Sequence, residues 1–179
     1  MSETVIFVEG PSDRGVVSAI LKKLNLRKTI KIRLMRGNKL EFLPKYINAY
    51  KCKIVVLKDL HTYNEEYLLA RFNRIKNMIE KSLREHIYLI VVKKAIEAWL
   101  LADIESITSY YKRSIKVHIG DPEKIDDPAE ELDKILNKCN KRYIKNENIA
   151  HNLALQIDLQ KACRKSRSLS EFIKIISYI

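Results

Sequence analysis

The feature that most constrains this chain is a repeated switch of apolar periodicity. Over about the first hundred residues, β-branched runs alternate with stretches whose apolar positions recur every three to four residues. Thr4 to Val8 reads as a short buried strand, and Asp13 to Leu24 as a helix with Val16, Val17, Ile20, Leu21 and Leu24 on one face. Thr29 to Met35 alternates Ile30, Ile32 and Leu34 with Lys31 and Arg33, the mark of an edge or half-exposed strand. Leu43 to Tyr50 suits a helix, with Pro44 tolerated in its first turn. Lys53 to Leu57 is continuous and β-branched, which demands cover on both faces and hence a central position. A long amphipathic helix over Glu65 to Glu85, a strand over Ile87 to Val92 and a helix over Ala95 to Asp103 complete the series.

Such a succession predicts an α/β fold, a Rossmann-like, mostly parallel central sheet of about four strands flanked by helices. Beyond Tyr111 the pattern changes. Ile115 to Ile119 suits a short extra strand, and Asp127 to Asn140, Ile149 to Leu159 and Ser168 to Ser177 suit helices. The expected organisation is an α/β core over residues 1–111 and a mainly helical extension over 112–179 packed on it. Trp99, Leu100 and Leu101 belong to the core, while His86, His118 and His151 stand alone as surface or packing residues. Tyr110 and Tyr111, beside Lys112 and Arg113, suit packing against the sheet or stacking on bases.

In open parallel sheets, ligands collect outside the carboxyl ends of strands whose crossovers diverge. The polar residues leaving those ends are therefore informative. Strand one ends on Glu9 and Gly10, with Asp13 close behind; strand three runs into Asp59 and His61; strand four leads to Lys93, Lys94 and Glu97. Carboxylates brought together repel, and protonation or a divalent cation relieves the repulsion. Hard oxygen donors suit Mg²⁺ or Mn²⁺. Each acid also has a purely structural use: Asp13 as a cap of the following helix, Glu97 in a helical first turn, Asp59 and His61 in a turn.

Charge sets the expected partner. The formal net charge is +12, and Arg27, Lys28, Lys31, Arg33, Arg36, Lys39, Lys45, Lys51 and Lys53 are interrupted by Glu41 alone. That surplus attracts phosphate backbones, so DNA or RNA is the expected partner, with Arg33, Arg36, Lys39 and Lys94 as contacts; a solubilising lysine-rich surface explains the charge equally well. The most apolar stretch is broken by Lys93, Lys94 and Glu97, so no membrane span is expected. Cys52, Cys139 and Cys163 lack metal-like spacing and read as reduced thiols of a cytoplasmic protein; no secretion signal is evident. Association into a homo-oligomer is left open. The Gly-Lys-Ser/Thr ending of a phosphate loop is missing from VEGPSDRG.

FVEGPSDRGVVSAIL followed by IVVLKDLH resembles the Toprim superfamily, the α/β domain of topoisomerases, bacterial primases and overcoming-lysogenization-defect (OLD) nucleases. IEAWLLAD, DDPAEELDKIL and ALQIDLQKACRKSRSLSEFIKII are similar to a family of small Toprim-related proteins carrying a domain of unknown function, so the likeness spans nearly the whole chain. The resemblance implies a divalent-metal-dependent nuclease or phosphotransferase. Glu9 would be acid/base or metal ligand, Asp13 a second ligand, and Asp59 the first aspartate of an Asp-x-Asp pair. Glu97, with Lys93 or Lys94, would stand where related nucleases keep a further carboxylate and a cation. His61 departs from the pattern, occupying the place of the second aspartate. It implies a shifted metal preference toward Mn²⁺, Zn²⁺ or Ni²⁺, a role as general base, or a degenerate module that binds nucleic acid or a protein without catalysis.

Overall fold

The computed structural model describes residues 3–35, 39–61, 64–113, 115 and 117–179. Strands β1 (Thr4–Val8), β2 (Ile30–Leu34), β3 (Lys53–Asp59) and β4 (Ile87–Val92) form a wholly parallel sheet in the order β2-β1-β3-β4. Ile6 stands opposite Ile32 on one side and Val55 on the other, while Val56 faces Leu89. The alternating strand is indeed at an edge, and the continuous β-branched run is central.

Helices α1 (Pro11–Leu24), α2 (Leu43–Tyr50) and α3 (Glu65–Asn77) carry the three crossovers. From β1 the chain steps outward to β2, then returns past β1 to β3 and on to β4. With right-handed crossovers, this reversal puts α1 on one face and α2 and α3 on the other. The side chains obey the period of two: Ile6, Val8, Val55, Leu57, Ile90 and Val92 pack with Val16, Val17 and Ile20 of α1. Val5, Phe7, Ile54, Val56 and Ile87 pack with Leu43 and Ile47 of α2 and Leu68 and Phe72 of α3.

The chain then forms α4 (Glu97–Leu101), α5 (Ile104–Tyr110), α6 (Pro128–Asn137), α7 (Glu147–Gln156), α8 (Leu159–Lys165) and α9 (Arg167–Tyr178). These helices enlarge the α1-side core, burying Leu132, Leu153 and Phe172. Trp99 is fully buried, with its ring centroid 5.3 Å from that of Phe172 and its indole N–H donating to Ser168 Oγ at 2.8 Å. Buried Glu123 in turn accepts from the hydroxyls of Ser166 and Ser168 and the backbone N–H of Ser168, which satisfies its charge at the start of α9.

Several boundaries differ from the sequence reading for identifiable reasons. Helix α1 starts at Pro11, not Asp13: proline is preformed for a first turn, and Asp13 reaches back to accept from the Gly10 N–H. Helix α3 stops at Asn77 rather than Glu85, because Arg84 donates to the carbonyls of Asn77 and Ile79 and a 3-10 turn follows over Lys81–His86. Asp158 caps α8 by accepting from Gln160 and Lys161, so the expected helix over Ile149 to Leu159 ends at Gln156. The strand expected over Ile115 to Ile119 does not form: Ile115 and Val117 to Ile119 pair with no strand, and Ile119 is buried in the core instead. Lys116 lies outside the described residues.

Helix α7 lies against α1 where Gly15 removes the side chain between them. A Cβ at Gly15 would overlap the carbonyl oxygen of Glu147, and the neighbouring Arg14 pairs with the Glu147 carboxylate. At an open helical position Gly→Ala stabilises by about 0.5–1 kcal/mol. Gly15→Ala is expected to do the opposite, lowering the urea-unfolding free energy by about 1–3 kcal/mol through overpacking.

Candidate functional site

The reversal of the chain past β1 leaves the carboxyl ends of β1 and β3 adjacent, with their crossovers departing in opposite directions. Glu9 follows β1 directly and Asp59 closes β3. The two meet: the Asp59 backbone N–H donates to Glu9 Oε1 at 3.2 Å. The same oxygen is 2.5 Å from Lys58 Nζ, in an ion pair whose side chains are both nearly buried. Lys58 precedes Asp59 on β3, opposite Val91 of β4, so its stem runs among apolar neighbours and its ammonium reaches Glu9.

Asp13 stands at the third position of α1 and accepts from the backbone N–H groups of Gly10 at 2.8 Å and Glu9 at 3.1 Å. Capping and site membership therefore coincide in one residue. Glu97, at the start of α4, is 1% exposed and accepts from the Tyr143 hydroxyl at 2.8 Å, and Lys145 Nζ lies 3.9 Å from it.

The four carboxylates act on one another. Asp59 is held well above the ordinary aspartate value by burial first, then by the charges of Asp13, Glu9 and Glu97, with a hydrogen bond from the Ile96 backbone opposing the rise. Asp13 is pushed up to about 6, chiefly by burial, against the Gly10 hydrogen bond and with Glu97 and Glu9 adding to the rise. Burial and Glu97 together drive the Tyr143 phenol far above its usual range. Yet no three His, Cys, Asp or Glu side chains among the described residues are gathered as ligands of a single point. The two observations are compatible: charge acts over several ångströms, whereas coordination requires convergence at about 2 Å, and Asp13 Oδ2 and Glu9 Oε1 are already engaged.

The other expected residues that the structure describes lie on the loop after β3, on the return from β4, and on or just after β2. His61 is exposed on the loop after β3, with a left-handed φ of 48° and its N–H donating to the Lys94 carbonyl. Lys94 forms a 2.8 Å ion pair with Asp126. Lys93 is exposed and lines a cleft of about 370 Å³ that also contains Glu65, Glu123 and Arg167. Arg33 lies over the Tyr46 ring, 6.0 Å from its centroid, and Lys39 is exposed. The Met35 N–H donates to the Val8 carbonyl, so Met35 lies beside the strand that leads to Glu9. Arg36 lies outside the described residues.

Much of the basic run between Arg27 and Lys53 is turned onto the chain itself. Lys28 and Lys53 donate to carbonyls at the end of α9, Lys31 pairs with Glu3, and Lys51 pairs with Glu80. Sequence reading missed Lys58, Tyr143 and Lys145. A lysine inside the run IVVLKD was the available signal for Lys58; Tyr143 and Lys145 are separated from Glu97 by more than forty residues and carry no local signal.

The chain belongs to the family described as Domain of unknown function (DUF4276), whose profile matches residues 8–177. No curated protein and no solved structure gave a significant match. Among the described residues no helix is long and apolar enough to cross a membrane.

The raised aspartates have a consequence for stability. A carboxyl whose folded-state value lies above its unfolded value binds its proton more tightly when folded, so stability is lost as pH rises above about 3.8, through the folded-state value. Asp59→Asn removes that loss. The substitution is expected to raise the urea midpoint clearly at pH 7.5 and by much less at pH 4. Equal effects at the two pH values would show that Asp59 is not a crowded acid.

Proposed function

We propose that this protein is a Toprim-like, divalent-metal-dependent nuclease or phosphotransferase acting on nucleic acid, related at a distance to the OLD nucleases. The observation that carries the reading is the meeting of Glu9 and Asp59 across the switch point, in a cluster with Asp13 and Glu97. In donor type the cluster suits Mg²⁺ or Mn²⁺: all four groups offer hard oxygens, and Asp13 and Asp59 hold protons above the ordinary range through burial first and the neighbouring negative charges second. Glu9, Asp13 and Asp59 would hold the cation through oxygens not engaged by backbone donors, with Glu97 beside them and His61 at the rim. The bound cation would offset charge on the attacking and leaving oxygens of a phosphodiester.

The chain's own groups have distinct tasks in this account. Lys58 offsets the charge of Glu9 and fixes its carboxylate against the end of β3. Tyr143 orients Glu97 by donating to it. Lys93, Lys94, Arg33, Arg36 and Lys39 are candidates for holding the substrate strand outside the cluster.

A second reading is favoured by two particular observations. Lys58 already compensates Glu9, and His61 stands where a Toprim site keeps its second aspartate. On that reading the site has lost its metal, and the protein binds nucleic acid or a protein partner without turnover.

Cleavage of labelled DNA and RNA with Mg²⁺ or Mn²⁺, by wild type and Glu9→Gln prepared in parallel, decides between them. Metal-dependent cleavage should fall by at least about a hundredfold in Glu9→Gln. Because that variant leaves Lys58 buried without its partner, Asp59→Asn is assayed beside it, and circular dichroism checks that each remains folded. A folded wild type that cleaves nothing under either metal would favour the non-catalytic reading.

A further inference from the structure

Between α6 and α7 the chain reads KCNKRYIK, Lys138 to Lys145, with four cations and no acid. This strap is fixed at both ends and in the middle. Asn140 takes a left-handed φ of 56° to leave α6, and the Lys141 N–H bonds back to the Leu136 carbonyl at 3.0 Å. The Tyr143 N–H donates to Asp133 at 2.7 Å while its ring is buried and its hydroxyl holds Glu97. Asn146 then caps α7 by accepting from Asn148 and Ile149.

The anchors point inward and the cations outward. Cys139 and Tyr143 are buried, whereas Lys138, Lys141, Arg142 and Lys145 are all exposed. Lys145 is 56% exposed although its ammonium is 3.9 Å from buried Glu97, so it stands where the carboxylate cluster meets solvent. Ile144 is 64% exposed between these charges, an apolar surface of the size of a sugar or base edge. The sequence-evident basic run gives Lys28, Lys31, Lys51 and Lys53 to intramolecular partners; on the strap Arg142 pairs with Asp133 and Lys141 lies 5.6 Å from the Tyr111 ring centroid, yet both stay exposed.

We infer that the strap Lys138–Lys145 is the surface on which the phosphodiester backbone of a nucleic acid lies, with Lys145 contacting the phosphate nearest the carboxylate cluster. This deepens the proposed function and rests on it for the position of the reacting phosphate, but binding on the strap requires no turnover. Pre-ordering by Asn140, Tyr143 and Asn146 means that little entropy is lost when the backbone docks.

The test is anisotropy of a fluorescent single-stranded oligonucleotide, as DNA and as RNA, in EDTA across a salt series. Wild type is compared with Lys138→Gln/Lys141→Gln/Lys145→Gln, whose replaced side chains are exposed and whose fold is checked by melting. Each lost phosphate contact lowers the slope of log affinity against log salt by about 0.7, so the triple variant should flatten it by about 2 and bind at least about tenfold more weakly at low salt. An unchanged slope overturns the inference, as does wild-type binding to phosphatidylserine vesicles without binding to either oligonucleotide. Strap-dependent binding in a protein that never cleaves would sustain the inference while removing the enzyme reading.

Discussion

A parallel sheet in the order β2-β1-β3-β4 cannot cover every strand end. The crossover from β1 leaves toward β2 and that from β3 toward β4, so the carboxyl ends of the two central strands open into one crevice. Glu9 and Asp59 are placed there by register, Asp13 by the first turn of α1, and Glu97 by the return from β4. The resulting crowding of acids accounts for the surrounding polar structure: Lys58 against Glu9, two backbone N–H groups on Asp13, and the Tyr143 hydroxyl on Glu97. Each donor offsets part of a repulsion that burial would otherwise make costly.

The same constraint gives the C-terminal helices their place. They bury the α1 face through Trp99, Leu132, Leu153 and Phe172, and α7 can lie close to α1 because residue 15 is glycine. The connection into α7 then carries Tyr143 over Glu97. Core packing and the electrostatics of the crevice are thus linked through one stretch of chain, with the buried phenol on one side and exposed lysines on the other.

Legibility in the sequence followed the range of the responsible interactions. Strands β1 and β3 were readable because continuous apolar, largely β-branched runs report burial on both faces, β4 because its six residues are all apolar or aromatic although it ends the sheet, and edge strand β2 because its lysine and arginine alternate with isoleucine. Glu9 and Asp59 were readable because they end such runs. The stop of α3 at Asn77 was not, since it depends on Arg84 reaching back to two carbonyls with no glycine or proline to announce it. Asp13 was legible as a cap, as a site residue and as a residue serving both, because its position in the first turn of a helix after β1 permits either use. Tyr143 and Lys145 depend on contact across the fold with Glu97, which no local pattern encodes. Lys58 was hidden for another reason: a lysine at the end of an apolar run normally marks a strand leaving the core, whereas here the strand continues and buries it beside Glu9.

Asp13 and Asp59 belong to one crowded group of buried acids, and the proposed function requires that this group accept a dication. Carboxyl carbon NMR of aspartate-labelled protein, titrated with pH in the absence and presence of Mg²⁺, tests it directly. Asp13 is expected to titrate near 6 and Asp59 well above the ordinary aspartate range, and Mg²⁺ to lower both. Titration of both near 3.8 with no response to Mg²⁺ would contradict it.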